Sequence, residues 1–328
     1  MNTKKGDSVR NKRQLNGGTL LGISVVLGLL AAVLRMRSIA TAYDTQTGLF
    51  ASGNGYTIAL IAVCVLFVFA AFVLSLQPVA DRSGHPGALG PHIWALGLPA
   101  VLALAASVYF DLDSSGLLTS GATVRYTQVV LCLFSLFAAY CAVRVLQALR
   151  TAALTMRHSF FMVMPIFWAS YWLLLDFSVH SANPVILIYF FDLIAIICGV
   201  LSLYLSAGFF FGIVKNRKLL FISLSGIFFA LLVLGGRALC ALTLGSYPVE
   251  AADWGHILRV LFILLYQGVL LIATKDGFLP GVQKTAQEPV PTVQEETDGD
   301  NTAADEVAAD EAQDQRDDPE SEPGDVQQ

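Results

Sequence analysis

Apolar residues run almost unbroken through eight stretches of the chain: Thr19–Leu34, Thr57–Leu76, His92–Phe110, Tyr126–Leu149, Phe160–Val179, Val185–Val214, Leu219–Leu244 and His256–Thr274. A hydrocarbon core of about 30 Å takes about 20 such residues in helical form. Lipid offers no partner to backbone N–H and C=O groups, so only helices or closed barrels cross it. Barrel strands alternate with a period of two, and these stretches do not. The pattern predicts an all-α integral membrane protein of about eight transmembrane helices arranged as four hairpins. The membrane domain is expected over 19–274, between a cytoplasmic segment 1–18 and a cytoplasmic tail 275–328. Arg35 and Arg37 interrupt any cleavage region after the first stretch, so that span is expected to stay in place.

The connections suggest an internal repeat. Thr47-Gly48-Leu49-Phe50-Ala51-Ser52-Gly53 follows the first span, and Ser115-Gly116-Leu117-Leu118-Thr119-Ser120-Gly121 follows the third. Tyr56-Thr57 and Tyr126-Thr127 then open the second and fourth. Both copies fall on one side of the membrane, as in a parallel repeat.

Composition adds the charge distribution. Only 14% of residues are charged and the mean hydropathy is +0.64, against about 25% charged in soluble domains, which excludes an ordinary soluble protein. Residues 1–284 carry a net of +9, while 285–328 carry a net of −14. A tail of Asp, Glu, Gln, Ala, Thr and Pro cannot bury enough apolar surface to order itself, so disorder is expected there. The basic residues from Lys4 to Arg13 are expected to be drawn to an anionic leaflet.

Lys and Arg in the short connections set the orientation. With the N-terminus inside, the inner segments carry 14 of them, and the outer segments carry three: Arg35, Arg37 and Arg125. Both termini are therefore expected in the cytoplasm. All five cysteines, Cys64, Cys132, Cys141, Cys198 and Cys240, fall within spans, so no disulfide framework is expected.

The segment Arg37-Ser38-Ile39-Ala40-Thr41-Ala42-Tyr43-Asp44-Thr45-Gln46-Thr47-Gly48-Leu49-Phe50, with Asn183-Pro184-Val185 before the sixth span, resembles a group of uncharacterised multi-pass membrane proteins of clostridial-type bacteria. The resemblance implies a bacterial plasma membrane. It implies no activity and no catalytic residue.

Candidate chemistry is sparse. Asp111-Leu112-Asp113-Ser114-Ser115-Gly116 opens like a calcium loop, but Ala122 stands where the bidentate Glu belongs. The segment is read as an Asx-type turn. His-Glu-x-x-His, Gly-x-Ser-x-Gly and phosphate-binding Gly-Lys-Thr motifs do not occur. No catalytic residue, metal site or cofactor is assigned, and no nucleic-acid partner is expected.

The informative residues are charges inside spans, each costing about 2.5–3.5 kcal/mol at mid-membrane. Asp192 in the sixth span and Arg237 in the seventh lie at similar depth, and Arg259 lies about one turn into the eighth. At 100° per residue, Asp192 shares a face with Ala195, Gly199, Ser202 and Ser206. Arg237 shares one with Ser223, Gly226, Ala230 and Ala241. Small residues mark helix–helix contact, so both charges are expected to face the bundle interior. Asp192 is expected to pair with Arg237, with Arg259 as the second candidate. The pair either locks two helices or belongs to a ligand site that His256 and Tyr266, on the same face of the eighth span as Arg259, would line.

Two functional classes follow: a carrier or receptor for a small anionic solute or lipid, or a non-catalytic component that recruits a cytoplasmic protein through its acidic tail.

Overall fold

The computed structural model describes residues 17–44, 50–51, 53–76, 93–115, 125–151, 157–181, 186–211, 213–214, 216–244 and 254–273. All of them belong to one compact unit that ends at Gly281. Eight helices account for nearly all of it: α1 (Gly17–Ala42), α2 (Gly55–Ser75), α3 (Ile93–Ser114), α4 (Tyr126–Arg150), α5 (His158–His180), α6 (Ile186–Phe210), α7 (Asn216–Leu244) and α8 (Trp254–Ala273). Each is long and apolar enough to cross a membrane. The described residues contain no strand, only an isolated bridge between Tyr43 and Phe50. The acidic tail, the N-terminal sixteen residues, most of both repeat loops and Asn183-Pro184-Val185 lie outside the described residues.

Short connections make successive spans antiparallel. The odd-numbered helices therefore end, and the even-numbered ones begin, at one face of the bundle. The pairs α1/α2, α3/α4, α5/α6 and α7/α8 all pack together, as hairpins should. The most extensive contacts are nonetheless between helices distant in sequence, α1 with α7 and α3 with α8. The Tyr-Thr pairs do open α2 and α4. Asn54 caps α2 by accepting from the N–H groups of Tyr56 and Thr57, whereas Arg125 supplies no side-chain cap to α4.

The center of the bundle is α7, the most buried span, which touches α1, α2, α6 and α8. Its glycines explain the close approach of α1. A Cβ at Gly235 would come within 2.8 Å of Ala32 Cβ, and one at Gly236 within 2.9 Å of Arg35 Cδ. Gly235 thus admits the backbone of α1, and Gly236 leaves room for the aliphatic stem of a charged residue. On the other side, Trp168 and Trp172 of α5 stack with each other, and Trp168 meets Phe262 of α8 edge to face. The Trp168 Nε1–H donates to Ser135 Oγ of α4 at 2.8 Å. These rigid contacts hold α4, α5 and α8 in register around the charges described next.

Candidate functional site: a buried ionic network

Eight ionisable side chains from six helices gather near the face where the odd-numbered helices end. Arg35 lies seven residues before the end of α1, Asp111 three before the end of α3, Asp176 four before the end of α5 and Arg237 seven before the end of α7. His180 ends α5. Asp192 lies six residues into α6, and His256 and Arg259 lie two and five residues into α8. At 1.5 Å per residue, all but His180 sit about 3–10 Å below the helix ends.

They form two clusters. In the first, Asp192, which is wholly buried, accepts from two guanidinium groups. Arg237 Nη2 donates to Oδ2 at 2.9 Å, and Arg35 Nη1 donates to Oδ1 at 3.5 Å. Arg35 also lies over the ring of Phe191 at 5.6 Å. In the second, Arg259 Nη1 donates to Asp111 Oδ1 at 2.6 Å, and its guanidinium sits 5.1 Å above the Trp172 ring. Trp172 also meets His256 edge to face. His256 Nδ1 faces Asp176 Oδ1 at 3.5 Å, and His180 Nδ1 faces Asp176 Oδ2 at 3.7 Å. The clusters adjoin through α6, where the ring of Tyr189, one turn from Asp192, lies tilted against that of His180, their centers 3.7 Å apart.

The Asp192–Arg237 pair is where the sequence places it, and the inward faces hold for most of their members. Ala195, Ser202, Ser206, Ser223 and Ala230 are buried, and the Ser202 and Ser223 hydroxyls lie 2.8 Å apart. Ala241 departs from the pattern and is exposed.

Four expectations are corrected. Arg259 is not a partner of Asp192, because Asp111 reaches it from α3. Asp111 does not open a turn: residues 111–114 are the last turn of α3, where a carboxylate facing α8 gains more from Arg259 than from solvent. Arg35 is not a loop charge, since α1 continues to Ala42 and the Arg35 side chain is buried. Finally, the structure does not bring Tyr266 into the network. It lies seven residues, about 10 Å, beyond Arg259 and stacks on Phe262.

Asp176 is the residue that sequence reasoning missed although the signal was there. It is a charge within the expected fifth span and meets the criterion applied to Asp192. Deeper in the bundle, the amide of Gln267 faces Gly199 of α6 and Gly226 of α7 and has no hydrogen-bond partner among the described residues. The same holds for the Tyr266 hydroxyl. Ser202 and Ser223 each lie three residues from the glycines that Gln267 faces, so these polar groups form a small patch about 10 Å deeper in the bundle than Asp192, with Ala195 and Ile196 buried in between.

Eight apolar helices closed around buried ion pairs define a multi-pass integral membrane protein. No protein-family model, curated protein or solved structure matches the chain.

Proposed function

We propose that the protein is a carrier or receptor for a small anionic solute or lipid, taken up at the face where the odd-numbered helices end. The observation that carries this reading is the convergence of Arg35 and Arg237 on the single carboxylate of Asp192. A guanidinium has five N–H donors in a planar fork, enough to hold a carboxylate and a second anion together. Charges held inside a membrane are expensive, and they gather where ions or substrates pass. Asp192 keeps both forks in place, and an incoming phosphate or carboxylate competes for them.

The test uses sn-glycerol 3-phosphate and a thermal melt of the detergent-solubilised protein. The expected result is stabilisation that grows with ligand, about 2.7 kcal/mol at a hundredfold excess over Kd, and that disappears in Arg35→Gln. A chain ending at Lys284 should respond equally. Loss of the response with the tail would favour the recruiting component instead.

We further propose that this face is the outer face of a bacterial plasma membrane and that both termini are cytoplasmic. With Arg35 buried, only Arg37 and Arg125 remain as outer basic residues, so the bias in the connections sharpens. A reporter fused after Lys284 should be active only in its cytoplasmic form, and an exterior-type signal there would reverse the orientation.

A further inference from the structure

Three carboxylates lie in the network, and they differ in what balances them. Asp192 has Arg35 and Arg237, and Asp111 has Arg259. Asp176 has no guanidinium. Among the described residues its ionic partners are two imidazoles, with His180 Nδ1 at 3.7 Å from Oδ2 and His256 Nδ1 at 3.5 Å from Oδ1. An arginine is charged at any ordinary pH, whereas an imidazole is charged only when it holds an added proton. A buried carboxylate left without an opposite charge is costly. Asp176 therefore gains its counter-charge only by way of a proton.

The geometry says where that proton goes. His180 Nδ1 lies 2.8 Å from the Asp176 carbonyl oxygen. A carbonyl can only accept, so Nδ1 carries the hydrogen and Nε2 is the basic nitrogen of the neutral ring. A proton added at Nε2 keeps that bond and places an imidazolium beside Oδ2. The Tyr189 ring lies against the same imidazole, and an aromatic face attracts a cation. His180 is also the most open of the three side chains, 22% exposed against 8% for Asp176 and 4% for His256. It ends α5, beside the aqueous phase. The next charges around it are Asp192 of α6, already paired twice, and Arg259 of α8, paired with Asp111. Helix α4, which also packs on α5, brings Arg125 and Tyr126 to this face, both exposed.

We propose that His180, with Asp176 as its counter-charge and His256 on the carboxylate's other oxygen, is a proton-binding site at this face that exchanges with the adjoining water. The site goes beyond the anion-binding reading and does not depend on it. With the proton in place, the end of α5 carries a closed ion pair. When the proton leaves, a buried carboxylate stands unbalanced. Acid on this side of the membrane therefore tightens the bundle, and alkali loosens it.

Denaturant unfolding of the full chain in mixed micelles, followed across pH, tests this. A folded state that holds one more proton than the unfolded chain loses stability as pH rises. Above about pH 6.5, the ordinary imidazole value, the unfolding equilibrium constant should rise by up to about tenfold per pH unit, the slope for one proton. Asp176→Asn and His180→Gln should each remove that rise, and His256→Gln should keep it. His85, His92 and His158 are common to all four proteins and cancel in the comparison. Nitrogen NMR of the histidine-labelled wild type reads the same proton without unfolding. At about pH 7.5 an ordinary imidazole favours its neutral form about tenfold. One imidazolium signal should persist there and be missing from His180→Gln.

Unfolding curves of the wild type and His180→Gln that stay parallel across pH, or a neutral His180 ring at about pH 7.5, overturn the site. A rise lost in His256→Gln but kept in His180→Gln moves the proton to the inner imidazole and also overturns it.

Discussion

Asp192→Asn should destabilise the protein by about 3–5 kcal/mol, the cost of leaving a buried charge without its partner. Two guanidiniums depend on this carboxylate, and both are held in place by the packing of α1 and α6 on α7. An amide carries no charge to offset either. Adding Arg237→Gln should restore part of the loss, because the closer of the two contacts, 2.9 Å, then no longer faces a neutral group. The remainder should return only when Arg35→Gln is added as well. A detergent thermal melt of the single, double and triple variants measures the coupling. Strict additivity would show that the three residues do not interact, and the anion site would lose its center.

A loss of the same order, about 3–5 kcal/mol, is expected from Arg259→Gln. Its pair with Asp111 is the shortest in the network, 2.6 Å, and both side chains are almost wholly buried. Arg259→Lys should not rescue it. A lysine ammonium offers a point charge, and it loses the planar stacking that the guanidinium makes on Trp172. Asp111→Asn with Arg259→Gln should be milder than either change alone, since the pair leaves together. Denaturant unfolding in mixed micelles reads all four proteins. Losses no greater than about 1 kcal/mol, the figure for exposed pairs, would mean that the contact is solvated.

These two contacts differ in how far the sequence reveals them. Asp192 and Arg237 stand in long apolar runs on faces of small residues, at matched depth in consecutive spans. Consecutive antiparallel helices pack together, so matched depth becomes contact. Asp111 and Arg259 belong to α3 and α8, 148 residues apart, and no local pattern says that these helices are neighbours. Arg35 and Asp111 were also hidden by hydropathy itself. A charge near the end of an apolar run reads as the start of a loop, because the scale takes water as its partner. In the structure the partner is another side chain, so α1 continues past Leu34 and α3 past Phe110. The glycine pair ahead of Arg237 was visible as residues, but its purpose was not, since the stem it accommodates comes from α1.

The sequence by itself determined the class of protein, the eight spans and their helical nature. Those follow from the cost of unsatisfied backbone groups in lipid, which acts residue by residue along the chain. It also determined that charges well inside spans, such as Asp192 and Arg237, must turn inward, since lipid penalises them wherever the helix sits, whereas Arg144, near the end of α4, is exposed. Which charge meets which was decided only by tertiary packing. The close approach of α1 to α7 and of α3 to α8 depends on side-chain shape summed over whole helices, and that sum cannot be read from any one of them.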